Sequence, residues 1–167
     1  MTKLMHFWRL PHREKLWLLC LFPYSGVVRL ALLIIPFRWL APLLGVHHHN
    51  HQLSPLVPPH ILQFAWRAGR IVTLATRYTP WQSKCLVQAV LVRTLFAVYN
   101  VPYALYLGVT LTKDAQKPMK AHAWVKVGPW IVIGREGHRQ YTVVSAFVSP
   151  STLQPSTLQK GVNETHP

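Results

Sequence analysis

The hydrophobic residues of this chain change their spacing near residue 100, and that change constrains the fold more than any other feature. Before it, apolar residues recur every three or four positions, as on one face of an α-helix. After it come short runs rich in β-branched and aromatic residues. The chain therefore predicts an α+β fold in which helices pack on a small antiparallel sheet. The runs are YALYLGVTL (103–111), AHAWVKV (121–127), WIVIG (130–134) and YTVVSAF (141–147).

Two helices are expected in the middle of the chain. Residues 60–77 carry their apolar side chains at the spacing of an amphipathic helix. Residues 85–98 are apolar nearly all round, which is typical of a central helix covered by other elements. Two residues offer a cap for this second helix. One is Ser83, and the other is Thr79, with Gln82 completing a capping box.

The first third of the chain is apolar and basic. Residues 16–45 are long enough to cross a bilayer, but Pro23, Arg29 and Pro36 interrupt them. Two shorter helices are therefore expected, the second from about Gly26 to Leu44. We rank packing of this segment on its own domain first, contact with a membrane surface second and spanning third. Spanning ranks last because an arginine at the bilayer centre costs about 2.5–3.5 kcal/mol on insertion scales.

The sequence predicts one domain with an extension on each side. A chain of 167 residues can bury a core without disulfides or metals. Residues 1–59 are expected to form a helical extension that ends in a linker rich in histidine and proline. Residues 60–148 form the domain and residues 149–167 a flexible tail. The linker histidines, from His47 to His51, lack the fixed spacing of a metal site, so no metal is expected.

The charge of the chain restricts its partners. Eighteen Lys and Arg residues against 4 acidic ones give a net charge of +14, which suggests an acidic partner, a nucleic acid or an anionic membrane. Basic residues are spread along the chain and no nucleic-acid-binding signature occurs, so nucleic acid is not expected. Cys20 and Cys85 lie in different segments, which predicts free thiols and a cytoplasmic location, with the membrane surface left open.

Cys85 and His122 are the candidates for catalysis. Cys85 heads the buried helix, and a helix N-terminus favours the thiolate of a cysteine in its first turn. With Ser83 as the cap the sulfur lies in that turn, and with Thr79 it lies one turn inside. His122 can act as base and then as acid if its ring reaches the sulfur. Taken alone, each residue also fits a structural role.

Three segments of the chain carry a family resemblance: PWQSKCLVQAVLV, VPYALYLGVTL and KAHAWVKVGPWIVIG. Together they resemble the transglutaminase-like cysteine peptidases of lasso-peptide biosynthesis, the leader-removing B proteins related to microcin-J maturation enzymes. The similarity runs from about residue 16 to residue 147. In that family a Trp-containing turn precedes Cys-Leu, as Trp81 precedes Cys85 here. The motif His-Ala-Trp-Val, which starts at His122, is its most specific part.

The resemblance implies a papain-like core and cleavage of a ribosomally made precursor peptide at the end of its leader. Cys85 would be the nucleophile and His122 its base. The implied partners are the leader, a separate leader-binding module and an ATP-dependent macrolactam synthetase. No cofactor is implied. Whether water or an amine accepts the acyl group stays open, because both reactions use the same nucleophile.

The chain departs from the family at the third catalytic position. The family has an aspartate on the strand after the histidine, whereas a simple hairpin here pairs His122 with Arg135. Glu136 is the nearest acid in sequence, and His138 or a backbone carbonyl are the other groups that can hold the ring. The missing aspartate also leaves open a catalytically impaired subunit that acts as a membrane-associated or complex-forming partner.

Further residues are candidates for positioning the reaction. The Cys85 amide is the natural first donor to an oxyanion, with a second donor from Gln82 or the backbone near Trp81. Trp124 lies two residues after His122 and therefore on the same face of the strand. It is expected to shield the pair from water, and packing on the sheet is its alternative role.

Overall fold

The computed structural model describes residues 11–48, 55, 57–77, 79–80, 85–111 and 119–153. In this part of the chain, helices precede an antiparallel sheet, as the change in hydrophobic spacing predicts. The helices are α1 (His12–Ile34), α2 (Phe37–Leu40), α3 (Pro59–Arg77) and α4 (Cys85–Val98). The strands are β1 (Val46–His48), β2 (Ala104–Leu111), β3 (Met119–Val127), β4 (Trp130–Ile133) and β5 (Thr142–Val148). Short 3₁₀ turns cover Ala41–Leu44, His138–Gln140 and Pro150–Leu153.

The five strands form one sheet in the order β1-β5-β2-β3-β4, and all neighbours are antiparallel. The four runs expected to be strands are confirmed. Strand β1 was not predicted, and it lies where a linker was expected to begin. His47 and His48 pair with Phe147 and Ala146 on β5, so the linker prediction is wrong for these two residues. Sheet hydrogen bonds thereby join the N-terminal third to the last strand.

The sheet has two distinct faces, because successive side chains of a strand point to opposite sides. One face packs against α3 and α4, and it contributes Leu105, Val125 and Phe147 to the main core. The other face carries a second buried cluster that includes Tyr106 and Trp124. Helix α4 is apolar nearly all round because it contacts α1, α3 and the sheet. Its fully buried residues are Val87, Ala89, Leu91, Val92 and Phe96.

Polar side chains of α4 are bonded within the domain. Gln88 donates from Nε2 to Thr76 Oγ1 at 3.0 Å, and Arg93 donates from Nε to the Tyr103 hydroxyl at 3.1 Å. The same hydroxyl donates to the Leu44 carbonyl at 2.8 Å. Burial raises the pKa of Tyr103, and the adjacent Arg93 partly offsets that rise. The neutral phenol therefore links α4 to the turn before β1.

Helix α1 is one continuous helix, which corrects the expected break into two. It runs through Pro23, ends at Ile34 and leaves Ile35 extended before Pro36, as a residue before proline prefers. Pro23 has no N–H to donate to the preceding turn, but packing on both sides of it holds the helix. Leu21 and Val28, one on each side of Pro23, are buried in the main core.

One face of α1 packs on the domain, as ranked first from the sequence. The Trp17 indole donates from Nε1 to the Tyr99 hydroxyl at 3.1 Å, and its ring lies 5.4 Å from that of Phe64. The Tyr24 hydroxyl lies 3.3 Å from Thr94 Oγ1. The contacts join α1 to α3 and to the region of α4.

The predicted tail begins as ordered structure. Ser149 and Thr152 are buried, and Ser149 Oγ accepts a hydrogen bond from the Tyr103 amide at 3.2 Å. Thr152 Oγ1 donates to the Tyr103 carbonyl at 3.3 Å. The expectation of a flexible tail is therefore wrong for residues 149–152. Residues 154–167 lie outside the described part of the chain.

Candidate active site

Cys85 is the first described residue of α4. Its side chain is half-buried and packs against the main core, on the face of the sheet that the helices cover. Residues 81–84 lie outside the described residues, and they include Trp81, Gln82 and Ser83. The positioning roles of Trp81 and Gln82, and the cap that precedes Cys85, therefore stay predictions.

His122 lies on β3, opposite Gly108 of β2. Its ring is held from one side by a hydrogen bond of 2.9 Å between Nε2 and the carbonyl oxygen of Gly134. A carbonyl oxygen can only accept, so Nε2 carries the hydrogen of this bond. In the neutral ring the lone pair then lies on Nδ1, which is the arrangement that a general base needs.

A bulge in the β3–β4 hairpin brings Gly134 to the histidine. Val127 pairs with Trp130 and Lys126 with Ile131, but Val125 pairs with Ile133, so Val132 is an extra residue on β4. The simple hairpin that pairs His122 with Arg135 is therefore wrong. Beyond Ile133 the ladder ends, and the Gly134 carbonyl meets the ring of His122 at the edge of β3.

Gly134 has a positive φ of +72°, which favours glycine. A Cβ at this position would collide with the Ala123 carbonyl oxygen and lie 2.9 Å from Trp124 Cα. Gly137 has a similar φ of +71° but has open space around it. The two glycines therefore share the backbone requirement, and only Gly134 has the steric one.

The difference between Gly134 and Gly137 should appear in the stability of alanine variants. We expect Gly134→Ala to lower the free energy of unfolding by about 2–4 kcal/mol, because it adds a collision to the strain of the backbone. Gly137→Ala is expected to cost about 1 kcal/mol, from the backbone alone. Urea denaturation of both variants measures the difference. Equal losses would contradict the close approach of Gly134 to β3.

Aromatic rings surround His122 on its face of the sheet. The ring of Tyr141 lies 5.0 Å from it, and that of Trp124 lies 5.9 Å away, nearly parallel. Trp124 also stacks on Tyr106 at 5.7 Å, and burial raises the pKa of Tyr106 to about 12. A Cβ at Gly108 would lie 2.8 Å from the Trp124 ring, so the glycine leaves room for the indole. Trp124 is thus both a packing residue of the sheet and a wall beside His122.

Cys85 and His122 lie in different packing clusters. Cys85 packs on the helix side of the sheet, whereas His122 contacts Trp124 and Tyr141 on the other side. Within the described ranges, no hydrogen bond joins the thiol to the ring. Strand β4 pairs only with Val125–Val127, so the outer edge of β3 beside His122 is not covered by β4.

A family model for the transglutaminase-like superfamily matches residues 31–146, which is more than half of the chain. The chain belongs to the transglutaminase-like superfamily. Searches among curated proteins and among solved structures gave no match. The expected transglutaminase-like fold is therefore confirmed, while the resemblance to lasso-peptide B proteins in particular stays a prediction. The match begins inside α1, so the superfamily domain takes in part of the segment expected to be an extension.

Two further candidates, Glu136 and His138, lie in the segment that follows β4. Glu136 is exposed in the turn after β4, and no hydrogen bond between its carboxylate and His122 occurs in the described residues. Its role as orienting acid stays a prediction. His138 bonds through Nδ1 to the Arg135 carbonyl at 2.7 Å, and its ring lies 6.1 Å from that of Trp124. No group of three or more His, Cys, Asp or Glu side chains within the described ranges could hold a metal ion.

Two neighbours of His122 were not identified from the sequence. The carbonyl of Gly134 could be suspected only in general terms, because a bulge decides which residue of the hairpin meets the histidine. Tyr141 precedes β5 and approaches the site through the order of strands, which sequence spacing does not reveal. The glycine that ends the run WIVIG was the available signal for the first of them.

Proposed function

We propose that this transglutaminase-like domain is a cysteine peptidase that removes the leader from a ribosomally made lasso-peptide precursor. The observation that carries the proposal is the bond from His122 Nε2 to the Gly134 carbonyl. It gives the ring an orienting partner in a chain that lacks the expected aspartate. Superfamily membership and the position of Cys85 as the first described residue of the buried helix α4 support the same reaction.

The reaction would proceed in two steps. Nδ1 of His122 takes the proton of the Cys85 thiol, and the sulfur attacks the carbonyl carbon at the end of the leader. The protonated ring then gives its proton to the amine of the departing core peptide, which leaves a thioester between the leader and Cys85. Water attacks the thioester, releases the leader as a carboxylic acid and restores the thiol. An amine in place of water would give amide transfer instead.

Proton transfer requires the thiol and the ring to come within hydrogen-bond reach. The proposal places their meeting at the outer edge of β3, where Gly134 holds the ring. The proposal therefore requires the thiol and the ring to approach each other in the protein without substrate.

The substrate and partners follow from the resemblance to B proteins. A leader-binding module on a separate chain would present the precursor, and an ATP-dependent macrolactam synthetase would close the ring of the released core. Mass spectrometry of a purified precursor, incubated with this chain and a leader-binding module, tests the proposal. We expect two fragments that add up to the precursor plus one water. A precursor that stays intact with the wild-type chain would contradict it.

A second candidate function is that of a subunit that keeps the fold without catalysis. The observation that favours it is the separation of Cys85 and His122 into different packing clusters. Such a subunit would leave precursor cleavage unchanged when Cys85 is replaced. The same assay therefore separates the two functions.

We also propose that α1 and α2 dock on an anionic membrane surface. Over Glu14–Ile34, helix α1 is long enough and apolar enough to cross a membrane, by length and composition alone. Its outer side is apolar and exposed, with 71% of Leu19, 65% of Leu33 and 70% of Ile34 accessible. Spanning would remove α1 from α3 and α4, whereas lying on the surface keeps those contacts.

Charge and an aromatic anchor favour a lipid surface as the partner of this face. The net charge of +14 is complementary to an anionic leaflet. Trp39 is 68% exposed, and the Arg38 guanidinium lies 6.0 Å from its ring. Indoles and arginines are favoured at the boundary between headgroups and acyl chains. A basic protein with this apolar face therefore fits an anionic bilayer.

In a vesicle flotation assay, we expect a larger fraction of the protein to bind vesicles that contain phosphatidylglycerol than vesicles of phosphatidylcholine alone. Replacing Leu19, Leu30 and Leu33 together by glutamine should lower the apparent affinity for the phosphatidylglycerol vesicles by about 100-fold or more, because each buried leucine contributes more than about 1 kcal/mol. Val98→Gln with Leu111→Gln is the control, since both side chains are exposed elsewhere. Equal binding by all variants, or a stable dimer through this face in solution, would contradict membrane docking.

A further inference from the structure

A cleft of about 430 Å³ opens beside the hairpin that carries His122. Two tryptophans line it, Trp66 from α3 and Trp130 at the start of β4, and their rings meet edge to face at 6.2 Å. Arg135 and Arg139 line it as well, from the segment that follows β4. The cleft thus combines two indoles with two guanidinium groups.

The wall of this cleft lacks acidic counter-charge. None of the described residues that line it is acidic. The described part of the chain contains two acids, of which Glu14 lies in a different cleft and Glu136 is exposed in the turn without lining this one. Guanidinium groups bind carboxylates through paired hydrogen bonds, and indole rings pack on apolar and aromatic side chains. A ligand that offers both chemistries therefore fits the cleft.

The cleft is joined to the candidate active site by ring contacts. His138 lines the cleft, and its ring lies 6.1 Å from that of Trp124, which in turn lies 5.9 Å from that of His122. The bond of 2.7 Å between His138 Nδ1 and the Arg135 carbonyl fixes the turn that presents both residues. Two ring contacts therefore connect the cleft to His122.

We propose that this cleft binds an acidic segment of the substrate peptide, with carboxylates on Arg135 and Arg139 and an apolar or aromatic side chain against Trp66 and Trp130. The inference rests on the proposed function for the identity of the substrate. It adds the class of sequence that the substrate must carry near its cleavage point. A peptide is favoured over a nucleic acid because the chain has no nucleic-acid-binding signature.

Binding is tested on the Cys85→Ala variant, so that cleavage does not interfere. The probes are two fluorescein-labelled peptides, one with six glutamates and a phenylalanine and one with six lysines and a phenylalanine, measured by fluorescence anisotropy. We expect the acidic peptide to bind and the basic one not to bind. Arg135→Gln with Arg139→Gln should weaken binding by about tenfold, since two solvent-exposed pairs between guanidinium and carboxylate groups are lost.

The matched control is Arg67→Gln with Arg77→Gln, which removes the same charge from exposed positions on α3. It should change the affinity by less than about threefold, the size of a screened long-range effect. Trp130→Ala should weaken the acidic peptide as well and remove any preference for its phenylalanine. Equal losses of affinity for the acidic peptide in the two double-arginine variants would overturn the proposal. So would binding of single-stranded DNA as tight as that of the acidic peptide.

Failure of this inference can be told apart from failure of the proposed function. If the cleft binds the acidic peptide and Cys85 proves inert, the binding site stands and the peptidase does not. If cleavage of a precursor needs Cys85 but the variants of the two arginine pairs have the same KM, the peptidase stands and the binding cleft does not. If the peptidase and the binding cleft are both right, Arg135→Gln with Arg139→Gln raises KM and leaves kcat unchanged. This is the effect of losing a contact that binds the substrate and the transition state equally well.

Discussion

Replacing Cys85 by alanine is expected to lower kcat for leader release by about 10⁴–10⁶-fold, the range seen when a catalytic nucleophile is removed. The sulfur is the atom that forms the thioester, and alanine offers no atom for that bond. Folding should be little affected, because the side chain is half-buried and alanine suits a helix. Single-turnover cleavage of a precursor, followed by mass spectrometry, measures the effect.

Cys20→Ala provides the control for this experiment. Cys20 is a free thiol that lies exposed on α1, away from the main core. Its loss should leave the rate unchanged. Equal cleavage by the wild-type chain and the Cys85 variant would assign the domain to the non-catalytic function.

Replacing His122 by alanine is expected to lower kcat by about 10³–10⁵-fold, because both the base for the thiol and the acid for the leaving amine are lost. The dependence of the remaining rate on pH should also change. With the ring gone, hydroxide must take the thiol proton, so the rate should rise more steeply with pH than the wild-type rate does. Rates of both proteins from pH 6 to about pH 9 test this expectation.

His60→Ala is the matched control, since His60 is exposed at the start of α3 and has no part in the candidate site. It should keep both the rate and the pH profile of the wild-type chain. A His122 variant with an unchanged profile would mean that the ring does not act as the base. His122 would then be a packing residue between Tyr141 and Trp124.

The helices and strands of the domain core could be predicted because their hydrophobic patterns are long and consistent. The spacing in 60–77 and 85–98 gave α3 and α4 with bounds close to those observed. The β-rich runs after residue 100 gave the four longer strands. In these segments, local pattern and tertiary packing favour the same structure.

Elements that depend on contacts distant in sequence could not be predicted. Pro23 signals a break, but α1 continues because both of its halves pack on α3 and α4. Residues 46–48 have a weak pattern of their own, and they form β1 because β5 offers an edge for pairing. Packing outweighs the local sequence signal in α1, and sheet pairing outweighs it in β1.

The candidate site was predicted in part for the same reasons. The motif that starts at His122 indicated the histidine and its neighbour Trp124, and the two rings do stack. The group that holds the histidine depends on a one-residue bulge, which replaces the expected pairing with Arg135 by a bond to the Gly134 carbonyl. Side-chain identity therefore could not reveal it, because any residue has a carbonyl oxygen.

The reactivity of Cys85 relative to Cys20 tests the peptidase account most directly, and it needs no substrate. The protein is treated with limiting iodoacetamide at pH 6.5, and the alkylated peptides are quantified by mass spectrometry. Exposure alone favours Cys20, which is exposed, over Cys85, which is half-buried. Catalytic activation by His122 predicts the reverse order, with Cys85 alkylated at least about tenfold faster and with that advantage lost in His122→Ala. Faster alkylation of Cys20, or a Cys85 rate that is independent of His122, would contradict the account.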